Sequence, residues 1–222
     1  MKIPLTPSFT VITCKEGEKF IFIFAAITIL LGLISSVLFT IGIFATAFCV
    51  AFFRDPEKVI PEEKGVIVSA GDGKVTGVQK VIVPSEIKSL AGQEMIKISV
   101  FLSVFNIHVN RVPTNGEVKE VTYIAGKFVS AALEKSSTEN ERCTIVMSNS
   151  DQDLIGCTQI AGLIAKRIVC DAKVGDKFNL GDRYGLIRFG SRMDVLLPLN
   201  YEANVKVGQT VIGGETVLAR RK

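Results

Sequence analysis

Arg188-Phe189-Gly190-Ser191-Arg192-Met193-Asp194-Val195-Leu196-Leu197-Pro198 sets a Gly-Ser peptide within an apolar, strand-like run close to the C-terminus. Glycine weakens a strand interior and marks a bulge or a close backbone approach. It also leaves its own carbonyl unshielded, so a following serine hydroxyl can reach back to that carbonyl where the backbone is strained. On this dipeptide alone the plainer reading is a β-bulge with an exposed serine.

Working outward, the whole chain after Phe52-Phe53-Arg54-Asp55-Pro56 consists of short β-rich runs separated by Gly, Pro, Asn and Asp. The candidate strands are Val66 to Ser69, Lys74 to Val83, Met95 to Val104, Glu117 to Ala125, Cys143 to Ser148, Leu154 to Ile160, Tyr184 to Phe189, Met193 to Leu197, Ala203 to Val207 and Thr216 to Ala219. Only Phe128 to Lys135 and Ala161 to Ile168 read as helical. A weak repeat points to the architecture: Lys173-Val174-Gly175 with Gly181-Asp182 returns 33 residues later as Lys206-Val207-Gly208 with Gly214-Glu215. Two turns at equivalent corners of paired strands resemble the turn pattern of lipoyl- and biotinyl-type barrel-sandwich domains. The expected fold is a mainly β, barrel-sandwich-like domain with few short helices.

What precedes it differs. Phe20 to Phe53 is a run of 34 residues without a charge, bracketed by Lys19 and Arg54. It is too long and starts too late for a signal-peptide core, and a single membrane span needs only about 20 residues. The run is expected to be an α-helical membrane segment, either one long tilted helix or, preferably, a hairpin turning near Gly32 to Ser36. The hairpin leaves both basic flanks on one side, in keeping with the tendency of Lys and Arg to stay cytoplasmic. The expected organisation is a cytoplasmic tail over 1–19, the membrane segment over 20–53 and a β domain over 54–222.

The formal charge of +4, with Ala219-Arg220-Arg221-Lys222 at the end, lacks the density and aromatic interleaving of a nucleic-acid binder and suits an anionic membrane surface. Cys14, Cys49, Cys143, Cys157 and Cys170 show no metal-ligand spacing and read as buried thiols in a reducing compartment. With His108 the sole histidine, no metal site is expected and a histidine pair within the chain is excluded.

Individual motifs leave alternatives open. Asp72, in Ser69-Ala70-Gly71-Asp72-Gly73-Lys74-Val75, is a hairpin-turn residue by its Asp-Gly context, and Lys74 beside it is a candidate carrier lysine. His108, near the end of an apolar stretch, reads as a core residue, but Asn106, Asn110 and Arg111 make a polar pocket plausible. Arg54 reads as a topology anchor at headgroup level or as a phosphate contact.

Taken in order, FFRDP at 52–56, SAGDGKV at 69–75, FLSVFNIHVNRVP at 101–113, ENER at 139–142, QIAGLIAKRI at 159–168 and RFGSRMDVLLP at 188–198 closely resemble the short form of the pyruvoyl-dependent phosphatidylserine decarboxylases. The resemblance covers essentially all of residues 52–198. Longer members have Leu-Gly-Ser-Thr in place of Phe189-Gly190-Ser191-Arg192, and two histidines where this chain has His108 and Arg111. The resemblance implies that Ser191 attacks the Gly190 carbonyl and that the chain cleaves itself between 190 and 191. A β chain of 1–190 and an α chain from 191 to 222 then stay associated, the latter blocked by a pyruvoyl group derived from Ser191.

That group would take a serine headgroup as a Schiff base and release phosphatidylethanolamine and CO2. His108 is the candidate proton donor, Asp72 the candidate helper in self-cleavage, and Arg111 and Arg54 candidate substrate contacts. The implied partner is an aminophospholipid, and the implied place the cytoplasmic face of the cell membrane. The oligomeric state stays open, a homo-oligomer included. A non-catalytic, membrane-anchored β binding module and a lipoyl-like carrier using Lys74 are the competing classes.

Overall fold

A computed structural model describes residues 13–126, 139–162, 168–188 and 191–222. The chain divides into two compact units, Met1–Glu57 and Lys58–Lys222.

The N-terminal unit is a helical hairpin, α1 (Lys15–Gly32) and α2 (Ser36–Phe52), with its turn inside the stretch expected from the sequence. Ser35 ends the turn by accepting the Val37 N–H on its hydroxyl at 3.3 Å, which caps α2. α1 starts before the apolar run because Glu16 and Glu18 in its first turn suit the positive end of the helix dipole. Small residues allow close approach: a Cβ on Gly42 would meet the Thr28 side chain at 2.7 Å, and the Thr28 and Thr46 hydroxyls bond across the pair at 2.9 Å. Phe22, Leu33, Ile34 and Phe44 are exposed. Among the described residues no helix is long and apolar enough to cross a membrane. The structure thus has the preferred hairpin form of the apolar run, without a helix long and apolar enough to show the expected membrane segment.

The second unit contains β1 (Val66–Val68), β2 (Gly73–Ile82), β3 (Glu94–Leu102), β4 (Val109–Arg111), β5 (Gly116–Ile124), β6 (Arg142–Ser148), β7 (Leu154–Ile160), β8 (Ile168–Cys170), β9 (Lys177–Phe178), β10 (Arg183–Ile187), β11 (Ser191–Leu197), β12 (Tyr201–Ala203), β13 (Thr210–Val211) and β14 (Val217–Arg221). They form an eight-stranded sheet ordered β13-β2-β3-β11-β7-β6-β5-β9 and two three-stranded sheets, β1-β14-β12 and β4-β10-β8. The mainly β expectation holds. The barrel does not close, because β13 and β9 end the large sheet without pairing to each other. Residues from all three sheets, among them Ile67, Ile98, Tyr184, Val195 and Leu218, share one core. The helix expected over 128–135 lies outside the described residues, and Ile168, expected to end a helix, opens β8 instead.

The 33-residue repeat is the visible part of a larger duplication. Gly175 and Gly208 both take φ +93°, and Gly181 and Gly214 take +78° and +80°, conformations that a side chain disfavours. The N–H groups of Gly208 and Gly175 donate to Val75 and Val118, each at 2.8 Å, and both β2 and β5 carry a register shift just past that residue. The correspondence runs through every strand: β1, β2, β3, β11, β12, β13 and β14 match β4, β5, β6, β7, β8, β9 and β10. The second copy is therefore inserted between β3 and β11 of the first. The chain leaves the first copy through residues 103–108, between β3 and β4, and the first copy resumes at Ser191, where β11 begins.

Candidate active site

Ser191 opens β11, which lies in the middle of the large sheet and pairs there with β3 and β7. All seven residues of the strand are buried, as expected of a central strand covered on both faces. Side chains alternate. Ser191, Met193, Val195 and Leu197 point to the shared core, while Leu196 joins a separate apolar cluster on the other face. The Ser191 hydroxyl is therefore delivered inward. It is 0% exposed and has no hydrogen-bond partner among the described residues. A buried hydroxyl without a partner costs roughly 1–3 kcal/mol, a cost that fits a group held for chemistry.

The loop after β1 lies over this row. A Cβ on Gly71 would come within 3.1 Å of Leu102 Cδ2 and 3.4 Å of Met193 Cγ, and Leu102 is the cross-strand partner of Ser191. The Ser69 hydroxyl donates to the Gly71 carbonyl at 2.7 Å and fixes the loop. Asp72 follows at once. Its Oδ1 accepts the Gly213 N–H at 2.8 Å, and its two oxygens lie 3.2 and 3.3 Å from Lys58 Nζ. The Lys58 side chain is only 6% exposed, so this ion pair is largely shielded from solvent and from salt.

β4 borders the same loop, since the Arg111 N–H donates to the Ala70 carbonyl at 2.9 Å. His108 sits one residue before β4, fully buried. Its Nδ1 lies 2.9 Å from the Asn106 carbonyl, an oxygen that can only accept. In the neutral ring the proton is thus on Nδ1, and Nε2 is the acceptor. The backbone also ties His108 to the strand leading to Ser191, because Ile187 N–H donates to its carbonyl at 3.4 Å. Arg111 is 4% exposed and donates through Nη1 to Gly181 O at 3.0 Å.

Of the residues expected from sequence, Ser191, Asp72, His108 and Arg111 are gathered in the second unit around one end of the core. Gly190 lies outside the described residues. Arg54 belongs to the N-terminal unit, where it donates to the Ala51 carbonyl at the end of α2. Lys74 is not at a hairpin tip: it lies inside β2, paired with Phe101 on one side and Thr210 on the other. Sequence reasoning missed Lys58, which lies in a stretch without periodicity. It also missed Gly213, although the turn repeat beside it carried the signal.

A family model described as phosphatidylserine decarboxylase matches residues 45–219. The chain is 51% identical over 204 residues to a phosphatidylserine decarboxylase proenzyme of Ruegeria pomeroyi, covering 92% of this chain and 93% of that protein. A proenzyme of the same name from Cereibacter sphaeroides is 45% identical over 219 residues, covering 99% and 94%. Another from Rickettsia akari is 45% identical over 205 residues, covering 92% and 88%.

Proposed function

The chain belongs to the phosphatidylserine decarboxylase family, and from that membership we propose a pyruvoyl-dependent enzyme that makes its own prosthetic group from Ser191. It converts phosphatidylserine to phosphatidylethanolamine and CO2, a step of phospholipid biosynthesis. The observation that carries the self-processing reading is the Ser191 hydroxyl, buried and without a partner among the described residues beneath the loop that bears Asp72.

In the first step Ser191 Oγ bonds to the carbonyl carbon of residue 190 and gives up its proton, and the C–N bond breaks to leave an ester and a free amine. Loss of the Cα proton then breaks the Cβ–Oγ bond. Residue 190 keeps the oxygen as its carboxylate, and residue 191 becomes dehydroalanine. Water replaces the nitrogen, ammonia leaves, and a ketone remains at the new N-terminus. Asp72, held by Lys58 and Gly213, is the base that helps take the hydroxyl proton.

The pyruvoyl group supplies the ketone that captures the substrate amine and the sink for the electrons released with CO2. His108 returns a proton to carbon, the acid–base role that imidazoles most often fill. Within the β unit, Arg111 is the candidate contact for the acidic parts of the headgroup. The apolar hairpin seats the enzyme at the cytoplasmic face of the cell membrane, entering from the side of its basic flanks, with the exposed Leu33 and Ile34 at its tip.

Ser191→Ala tests the reading. The wild type runs on a denaturing gel as two pieces, the smaller blocked at its N-terminus, while the variant runs as one chain and produces no CO2 from phosphatidylserine. Normal decarboxylation by the intact variant would overturn it.

A further inference from the structure

Cys143 of β6 lies directly opposite Gln159 of β7, so the two side chains point to the same face of the sheet. Gln159 reaches from there to the neighbouring small sheet. Its Nε2 lies 3.0 Å from the Val169 carbonyl of β8 and 2.9 Å from the place that a Cβ on Gly185 of β10 would take. Gly185 is in turn the cross-strand partner of Cys170. The two cysteines thus flank one side chain from different sheets, and they meet there: β6 and β8 approach within 8 Å, Cα to Cα, and the Cys143 thiol hydrogen-bonds to the Cys170 sulfur. Cys143 is 3% exposed, whereas Cys170 is half-buried and open to a small reagent.

The duplication shows that the fold asks for a thiol at neither place. The ladder Lys80–Ile96–Leu197 of the first copy corresponds to Tyr123–Cys143–Gln159 of the second, so Ile96 is the counterpart of Cys143. By the same register Ala203, paired with Ala219, corresponds to Cys170, paired with Gly185. Ile96 and Ala203 are apolar and pack against the shared core. The second copy has sulfur at both positions. The surroundings also give the two thiols different characters. Cys170 accepts the bond from Cys143 and another from the Ala172 N–H, which together hold it below the ordinary thiol value. Cys143 is pushed up by the bond it gives to Cys170 and by burial. The third thiol of this unit, Cys157, is 0% exposed, lies 3.3 Å from the Tyr184 hydroxyl and is pushed up to about 12 by burial, so it stays inert.

We propose that Cys143 and Cys170 form a redox modification site for hydroperoxides, with Cys170 as the attacking sulfur and Cys143 as the resolving thiol. Cys170 Sγ bonds to a peroxide oxygen, the O–O bond breaks, and the departing oxygen takes up a proton as water or an alcohol. Cys170 is then a sulfenic acid. The Cys143 sulfur bonds to the Cys170 sulfur, the S–O bond breaks, and hydroxide leaves as water with the Cys143 proton. Two thiols have given two electrons to one peroxide, and a thiol reductant reverses the change. A reversible disulfide of this kind is compatible with a reducing compartment. Both cysteines precede residue 191, so the bridge lies within one of the two proposed pieces and the test is independent of self-cleavage.

Purified full-length protein is treated with hydrogen peroxide, its thiols are counted in denaturant, and the non-reduced peptides are mapped by mass. The wild type should lose two of its five thiols, yield one peptide pair joining Cys143 to Cys170, and recover both thiols with dithiothreitol. Cys143→Ala should leave a sulfenic acid on Cys170, trapped by a 1,3-diketone, and form no bridge. Cys170→Ala should lose no thiol at the same dose. The double variant Cys143→Ile, Cys170→Ala carries the residues of the first copy and should keep all its remaining thiols. A wild type that keeps its five thiols, a bridge to Cys157, or the same thiol loss in the double variant would overturn the assignment. If a variant does not fold, the peptide map of the wild type decides alone.

Discussion

At the residue scale, maturation and turnover ask for different proton transfers. The acyl shift needs a base for the Ser191 hydroxyl, whereas decarboxylation needs an acid for carbon, and the chain has one histidine. The assignment of Asp72 to the first and His108 to the second predicts a split phenotype. His108→Ala should still yield two pieces that react with a carbonyl reagent, with turnover lowered by roughly 10²–10⁴-fold. Asp72→Asn should accumulate full-length chain. Because Lys58 is nearly buried, Asp72→Asn also strands its ammonium, and breaking a buried pair in this way costs about 3–5 kcal/mol. The same measurement is therefore made with Lys58→Met added, and the full-length chain should still accumulate. The reverse pattern, in which His108→Ala blocks cleavage and Asp72→Asn does not, would sink the division of labour.

At the element scale, the proposed function gives the hairpin and the β unit separate tasks. None of the groups proposed for self-cleavage lies on α1 or α2. A chain lacking residues 1–53 should therefore cleave itself at the wild-type rate. It should no longer pellet with vesicles of phosphatidylethanolamine and phosphatidylglycerol, and should turn over bilayer phosphatidylserine poorly while retaining activity on detergent-dispersed substrate. If the truncated chain fails to mature, the hairpin is part of the folding unit. The exposed Phe22, Leu33, Ile34 and Phe44 supply the physical motive, since an exposed apolar patch of this kind marks an interaction surface. Short elements were the hardest to read from sequence. β9 and β13 have two residues each, too few for any periodicity, and β4 is a buried strand of Val, Asn and Arg whose Asn110 meets a partner 49 residues away in sequence, Gln159.

At the scale of the whole molecule, the proposed cleavage between 190 and 191 would leave a 191–222 fragment made of β11, β12, β13 and β14. β11 is hydrogen-bonded on both sides, to β3 and β7. β14 pairs with β1 and β13 with β2. The two products should therefore co-purify under native conditions, even in high salt, and separate only in denaturant; free exchange of the small fragment would contradict this topology. The insertion of one copy into the other also locates the chemistry. His108 ends the crossing out of the first copy and Ser191 begins the strand after the crossing back, which is where a nested duplication brings together segments that a simple tandem repeat would keep apart.

The sequence by itself determined the apolar N-terminal run and its turn, the mainly β character of the rest, the paired turns of the KVG repeat and the residues that carry the family resemblance. All of these rest on short-range rules: hydropathy, alternation and turn chemistry act over a few residues. Only the tertiary structure decided that the barrel stays open, that the domain is a nested duplication, that Lys58 holds Asp72, and that Asn110 meets Gln159. Those facts depend on which strands pair. The Asn110–Gln159 contact spans 49 residues and the Gly213–Asp72 bond 141. Separations of that size leave no periodic trace in a single chain, because the same local pattern is compatible with many pairings and only burial of a common core selects one.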